Sequence, residues 1–297
     1  MLQPIALLNQ SKRVVIIPDG ELHFVAFEAL IDLADRYVVD SRLISYAPSA
    51  TAYYLLSRPA ASSKNEMALL AVGGARYMLP GPSDLGSALR GLGFFDPARP
   101  PRWVALPESL TEVNDVAATQ FGKTLLLTGD EATESAIKRL TLSNFRMLHF
   151  AVHSTVDEEF PDRSALVLST DKSDVEDNLL QAREIVGLDL NAELVTLSAC
   201  DAGSGRIEGV AGMNSLVQAF LMAGTRSVVA SIWPADDTFT AALMRRFYAN
   251  LRQGLDKAEA LTLAKRQLLH LNGPNALPFY WAGFRLVGDS HGTISGE

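Results

Sequence analysis

Residues 145–154 read FRMLHFAVHS. A strand with one face in water alternates apolar and polar side chains, whereas a near-continuous apolar run suits a strand covered on both faces. Two further runs have the same character: ELVTLSAC at 193–200 and TRSVVASIW at 225–233. Helical patterns separate and follow them. LQAREIVGLDL (180–190) is one, and GVAGMNSLVQAFLMAG (209–224) is another, with Gly224 placed as the residue that ends it. PADDTFTAALMRRFYANLRQG (234–254) opens with proline and two aspartates, the favoured chemistry of a helix start. LDKAEALTLAKRQLL continues the helices, and YWAGFRLVG (280–288) closes with a strand. Upstream, KTLLLTGDEATESAIKRL (123–140) reads as strand, turn and helix, with Glu131 or Thr133 near the helix start. Strands alternating with helices of this length predict an α/β fold, a mostly parallel central sheet flanked by helices on both faces.

The first hundred residues are less regular. Val14–Ile17 and Leu22–Phe27 surround Asp19-Gly20, which predicts a β-hairpin. Leu43–Tyr46 reads as a short strand, residues 50–56 as a helix and ALLAVGG (68–74) as a buried strand ending in glycines. The Pro/Ser-rich stretch 58–66 reads as a surface loop. Residues 97–102 are the best seam, dividing an N-terminal part (1–100) from the remainder (101–297).

Composition excludes several classes. The net charge is −8 and no dense Lys/Arg cluster occurs, so direct nucleic-acid binding is not expected. No apolar stretch approaches 18 residues, so no membrane span is expected. A single cysteine in 297 residues forms no internal disulfide and fits a reducing compartment. With no basic segment ahead of an apolar run at the N-terminus, the expectation is a cytoplasmic protein. GKT at 122–124 lacks the upstream glycine of a phosphate loop, and GSGRIEG at 203–209 lacks dinucleotide-loop spacing. No cofactor is expected, and no His/Cys/carboxylate set has zinc spacing.

In open α/β sheets, sites form at the carboxyl ends of strands. FAVH delivers His153 there, and TLSAC delivers Cys200, 47 residues later. Neighbouring strands lie about 4.8 Å apart, so on adjacent strands the two side chains come within reach. A thiol becomes a strong nucleophile when an imidazole takes its proton or stabilises the thiolate. The bland alternative is that a strand-end cysteine is a small buried hydrophobe. The spacing is close to the caspase value of about 50, although the local caspase motif, with glycine two residues after cysteine, is not matched at Ala202. His149 lies inside the strand, where core packing or a supporting hydrogen bond is its expected role.

The ordered series LHFAVHS, LLQAREIVGLDLNAELVTLSACDAG, GVAGMNSLVQAFLMAGTRSVVASIWPADD and YWAGFRLVGD, preceded by VVIIPDGELHFVAFEAL and ISYAPSATAYYLL, resembles the CHAT family. These are caspase-like cysteine peptidases related to separases. The resemblance implies a caspase-like three-layer sandwich with an N-terminal hairpin-containing subdomain, and endopeptidase activity with His153 and Cys200 as the dyad. It implies an oxyanion site made by the backbone N–H groups of Ser154 and Cys200. The family usually has glycine where Ser154 stands. In separases an aspartate after the corresponding strand binds a basic P1 side chain; SIWPADD places Asp236 and Asp237 there, where helix capping is the alternative. Asp201 serves the same pocket or holds its turn, and Asp157, Glu158 and Glu159 either shape an acidic cleft or form a solvated loop. By family context the expected partners are a protein substrate, such as a gasdermin-like pore-forming protein in bacterial defence, and an activating sensor protein. A catalytically silent scaffold binding a partner through the same cleft is the rival reading.

Overall fold

The computed structural model of the chain describes residues 11–32, 34–58, 66–77, 103, 105–119, 121–157, 159–170, 176–198, 210–272 and 277–294. Cys200, Asp201, Glu158, the glycine-rich stretch 203–209, the seam at 97–102 and most of the 58–66 loop lie outside these residues. In chain order the elements are β1 (Arg13–Ile16), α1 (Val38–Ser41), β2 (Leu43–Tyr46), α2 (Ala50–Leu56), β3 (Met67–Gly73), α3 (Pro107–Ala117), β4 (Thr124–Thr128) and α4 (Glu134–Lys138). There follow β5 (Phe145–Ala151), β6 (His153–Thr155), β7 (Ala165–Val167), β8 (Leu179–Gln181), α5 (Ala182–Ile185), β9 (Leu194–Leu197) and α6 (Val210–Met222). The chain closes with β10 (Ser227–Ser231), α7 (Asp237–Arg252), α8 (Lys257–Asn272), α9 (Pro278–Trp281) and β11 (Phe284–Gly288).

One sheet has the order β1-β2-β11-β10-β9-β5-β3-β4. All its neighbours are parallel except β10 and β11. Each central strand is buried on both faces, as its sequence predicts. Leu148 and Phe150 of β5 enter a core with α6 and the small sheet, while Met147 and Ala151 enter a second core with α3, α7 and α8. The result is the expected three-layer sandwich with a mostly parallel central sheet flanked by helices. The sheet takes β1, β2 and β3 from before residues 97–102 and the rest from after them.

Local chemistry accounts for the turns. Thr133 caps α4 by accepting from Ala136 N–H. Gly224 follows α6 at φ +112°, and a Cβ there would stand 2.1 Å from Leu190 O, so only glycine fits.

The expected hairpin is absent. Asp19-Gly20 does turn the chain, but Gly20–Phe24 forms a 3₁₀ turn and β1 pairs in parallel with β2. The apolar residues that suggested a second strand, Leu22 and Phe24, are exposed and line no sheet face. What anchors this segment is Glu28, buried and held by Tyr46 O–H at 2.5 Å and Lys265 Nζ at 2.8 Å.

Candidate active site

β5 and β9 are adjacent, with Phe150 opposite Leu197, and Ser198 N–H donates to Phe150 O at 2.9 Å. His153 follows Phe150 by three positions, and Cys200 follows Leu197 by three. The described part of the chain thus sets side by side the two strands that precede these residues in the sequence. β5 itself stops at Ala151. Val152 sinks into the α6-side core, and His153 opens β6, the first strand of a separate antiparallel sheet β6-β7-β8. FAVH therefore does not run straight to His153 as one strand; the chain bends at its end.

His153 is 1% exposed. Its ring lies 4.9 Å from that of Tyr77 and 5.4 Å from that of Trp103, and its backbone N–H donates to Tyr77 Oη at 3.1 Å. Burial pushes the Tyr77 phenol up to about 12, so it remains a neutral donor and acceptor. Tyr77 and Trp103 went unnoticed in the sequence. Tyr77 follows β3 by four residues, so the end of that strand was its one available signal; Trp103 carries no pattern that marks it.

The ladder fixes the direction of Ser154's main chain. Leu168 N–H donates to Asn178 O and Ala182 N–H to Ser164 O, so β7 turns its even positions to β8 and its odd positions, Ala165 and Val167, to β6. Ser154 stands opposite Leu166 and directs its N–H away from β7. Its Oγ is buried with no hydrogen-bond partner among the described residues.

His149 takes the supporting role expected of it. Buried in β5, it places Nε2 2.8 Å from Glu112 Oε1 on α3 and Nδ1 3.1 Å from Tyr248 Oη on α7. Tyr248 O–H in turn donates to Thr196 Oγ1 on β9 at 3.0 Å. Glu112 was another residue the sequence gave no reason to single out.

The two aspartates after β10 divide. Asp236 is the N-cap of α7, its side chain accepting from Phe239 N–H at 3.1 Å. Asp237 is half-buried and reaches across to α3, accepting from Glu108 N–H at 2.9 Å. Burial holds its carboxyl above the usual range, with Glu112, Glu108 and Asp236 pushing the same way against the Glu108 N–H. Its charge adds to the upward shift of the Tyr77 phenol. Asp157 accepts from Glu159 and Phe160 N–H and holds its own turn.

These observations join a mostly parallel eight-stranded sheet to a buried histidine just beyond the end of a central strand. The CHAT domain family matches residues 1–289. The chain belongs to the CHAT domain family. Tetratricopeptide repeat protein 28 of Mus musculus is 24% identical over 320 residues, and its Homo sapiens counterpart 22%. Each match covers 95% of this CHAT domain chain, which spans 12% of the length of either relative. Among solved structures, the Arg-specific cysteine proteinase gingipain R (RgpB) of Porphyromonas gingivalis superposes with a TM-score of 0.52 at 12% identity, over 84% of this chain and 54% of that one. The likeness shows a caspase-like fold.

Among the described residues, Glu134, Glu176 and Glu184 form a carboxylate group close enough to hold a cation. Lys138 Nζ already occupies its centre, 2.7, 2.9 and 2.8 Å from the three. Burial pushes Glu134 up to about 7. The CHAT domain uses this cluster to join α4 to the start of α5. No helix among the described residues is long and apolar enough to cross a membrane.

Proposed function

We propose that this CHAT domain is a cysteine endopeptidase with Cys200 as nucleophile and His153 as its acid-base partner. The observation that supports the reading is the register of β5 against β9, in which Phe150 pairs with Leu197; His153 and Cys200 each follow three residues later in the sequence. Cys200 thiolate attacks the scissile carbonyl, His153 protonates the leaving amine, and water then hydrolyses the thioester. Backbone N–H groups of Ser154 and Cys200 receive the oxyanion; the Ser154 amide, directed away from β7 and so not used by that ladder, supports this role. Asp237 selects Arg or Lys at P1, with Asp236 and Asp201 adding negative potential around it. The substrate is a protein, for which a gasdermin-like pore-forming protein in a bacterial defence pathway is the family-based expectation, with a sensor protein as activator and the cytoplasm as location.

The burial of His153 between Tyr77 and Trp103 favours a second reading, a silent scaffold that binds a partner through this cleft. Cleavage of a peptide library separates the two. The peptidase reading expects cleavage by the native chain, none by Cys200→Ala, and the same thermal midpoint in both. Equal cleavage by Cys200→Ala, or none by either chain with activator present, discards it.

A further inference from the structure

A small cleft, partly open to solvent, lies on the face of β2, β11 and β10 that meets α6. Pro18, Ala47, Pro48, Val217 and Ile232 make its walls apolar, and Arg285 and Gln218 are the polar groups the argument uses. Arg285 is 4% exposed. Its guanidinium lies 4.3 Å from the Tyr46 ring centroid, and its terminal nitrogens donate to the carbonyls of His23 and Val25. Arg285 Nε is buried with no hydrogen-bond partner, and no carboxylate is in ion-pair contact with the side chain, among the described residues.

The surrounding charge does not balance. Tyr46, beneath the guanidinium, donates to Glu28, and Glu28 is already paired with buried Lys265. Lys265 thus has a buried carboxylate in contact, and Arg285 has none among the described residues. A buried charge without a partner is costly, and an anion drawn from solvent removes that cost. The apolar walls disfavour a strongly hydrated dianion and favour a carboxylate carrying a small apolar body. Gln218, exposed on the rim, offers an amide donor for its second oxygen.

We propose that this cleft binds a monoanionic carboxylate with a small apolar body, through Arg285. Such a group comes either from a free short-chain acid or from the C-terminus of a polypeptide. Thermal unfolding of the whole chain is followed while 3-methylbutanoate, its neutral amide, a Val-Val peptide with a free or amidated C-terminus, or inorganic phosphate is added. Saturable stabilisation is expected with the free carboxylates and not with the amides, because a ligand of the native state raises its midpoint. The more effective carboxylate identifies the source. Arg285→Met should weaken the effect at least tenfold. Arg285 also ties down the chain at His23 and Val25, so Gln218→Glu, a change at an exposed position, is the second variant and should weaken it similarly by repulsion. No stabilisation by either carboxylate, equal stabilisation by the amides or by phosphate alone, or undiminished stabilisation of Gln218→Glu overturns the proposal.

Discussion

At the residue scale, Asp236 and Asp237 show how one dipeptide splits its work. Asp236 caps its own helix, while Asp237 crosses to the N-terminus of α3. Both uses stabilise, since a capping carboxylate contributes about 1 kcal/mol. A recognition role adds a different signature. Asp237→Asn keeps the size and an acceptor but loses the charge. Charge-assisted hydrogen bonds are worth about 1.5–3 kcal/mol, so cleavage after Arg should fall about 10- to 100-fold relative to cleavage after an uncharged residue. A P1 profile unchanged in Asp237→Asn, with only a lower thermal midpoint, leaves capping as its sole role.

At the element scale, the line Glu112–His149–Tyr248–Thr196 ties α3, β5, α7 and β9 together beneath the strand ends. Its members are all buried, so they are strongly coupled. Glu112→Ala leaves His149 buried without its carboxylate and should lower stability by about 3–5 kcal/mol in urea titration. Asp115→Ala on the same helix breaks an exposed pair with Arg245 and should cost under about 1 kcal/mol. Equal effects of the two would show that the buried line does not hold the strands. The sequence announced β5 and β9 through their apolar runs, because double-sided burial leaves that mark on composition. It gave a supporting role to His149 but not its partner, since Glu112 sits 37 residues upstream on another layer. The hairpin failed for the opposite reason. The pattern around Asp19-Gly20 is locally consistent with a strand pair, but β1 finds its partner in β2 and Glu28 is claimed by Lys265 from 237 residues away.

At the scale of the whole molecule, strand order is the strongest statement. β5 and β9 are neighbours although three short strands and a helix intervene, so the strand that precedes His153 lies beside the strand that precedes Cys200 in the sequence. The alternation of strands and helices in the sequence led to this arrangement, and the CHAT resemblance supplied the roles. The small sheet was not legible, because β6, β7 and β8 are three residues each, too short to show a period. The aromatic enclosure of His153 was hidden too, as Tyr77 and Trp103 arrive from segments 50 to 76 residues upstream. Because the chain has one cysteine, alkylation of the native protein reports on Cys200 alone. The direct test is the rate of that alkylation by a thiol-reactive peptide probe in the native chain and in His153→Ala, both with unchanged thermal midpoints. A thiol activated by its neighbour predicts fast labelling that slows at least tenfold in His153→Ala; a slow rate, identical in the two chains, contradicts the dyad.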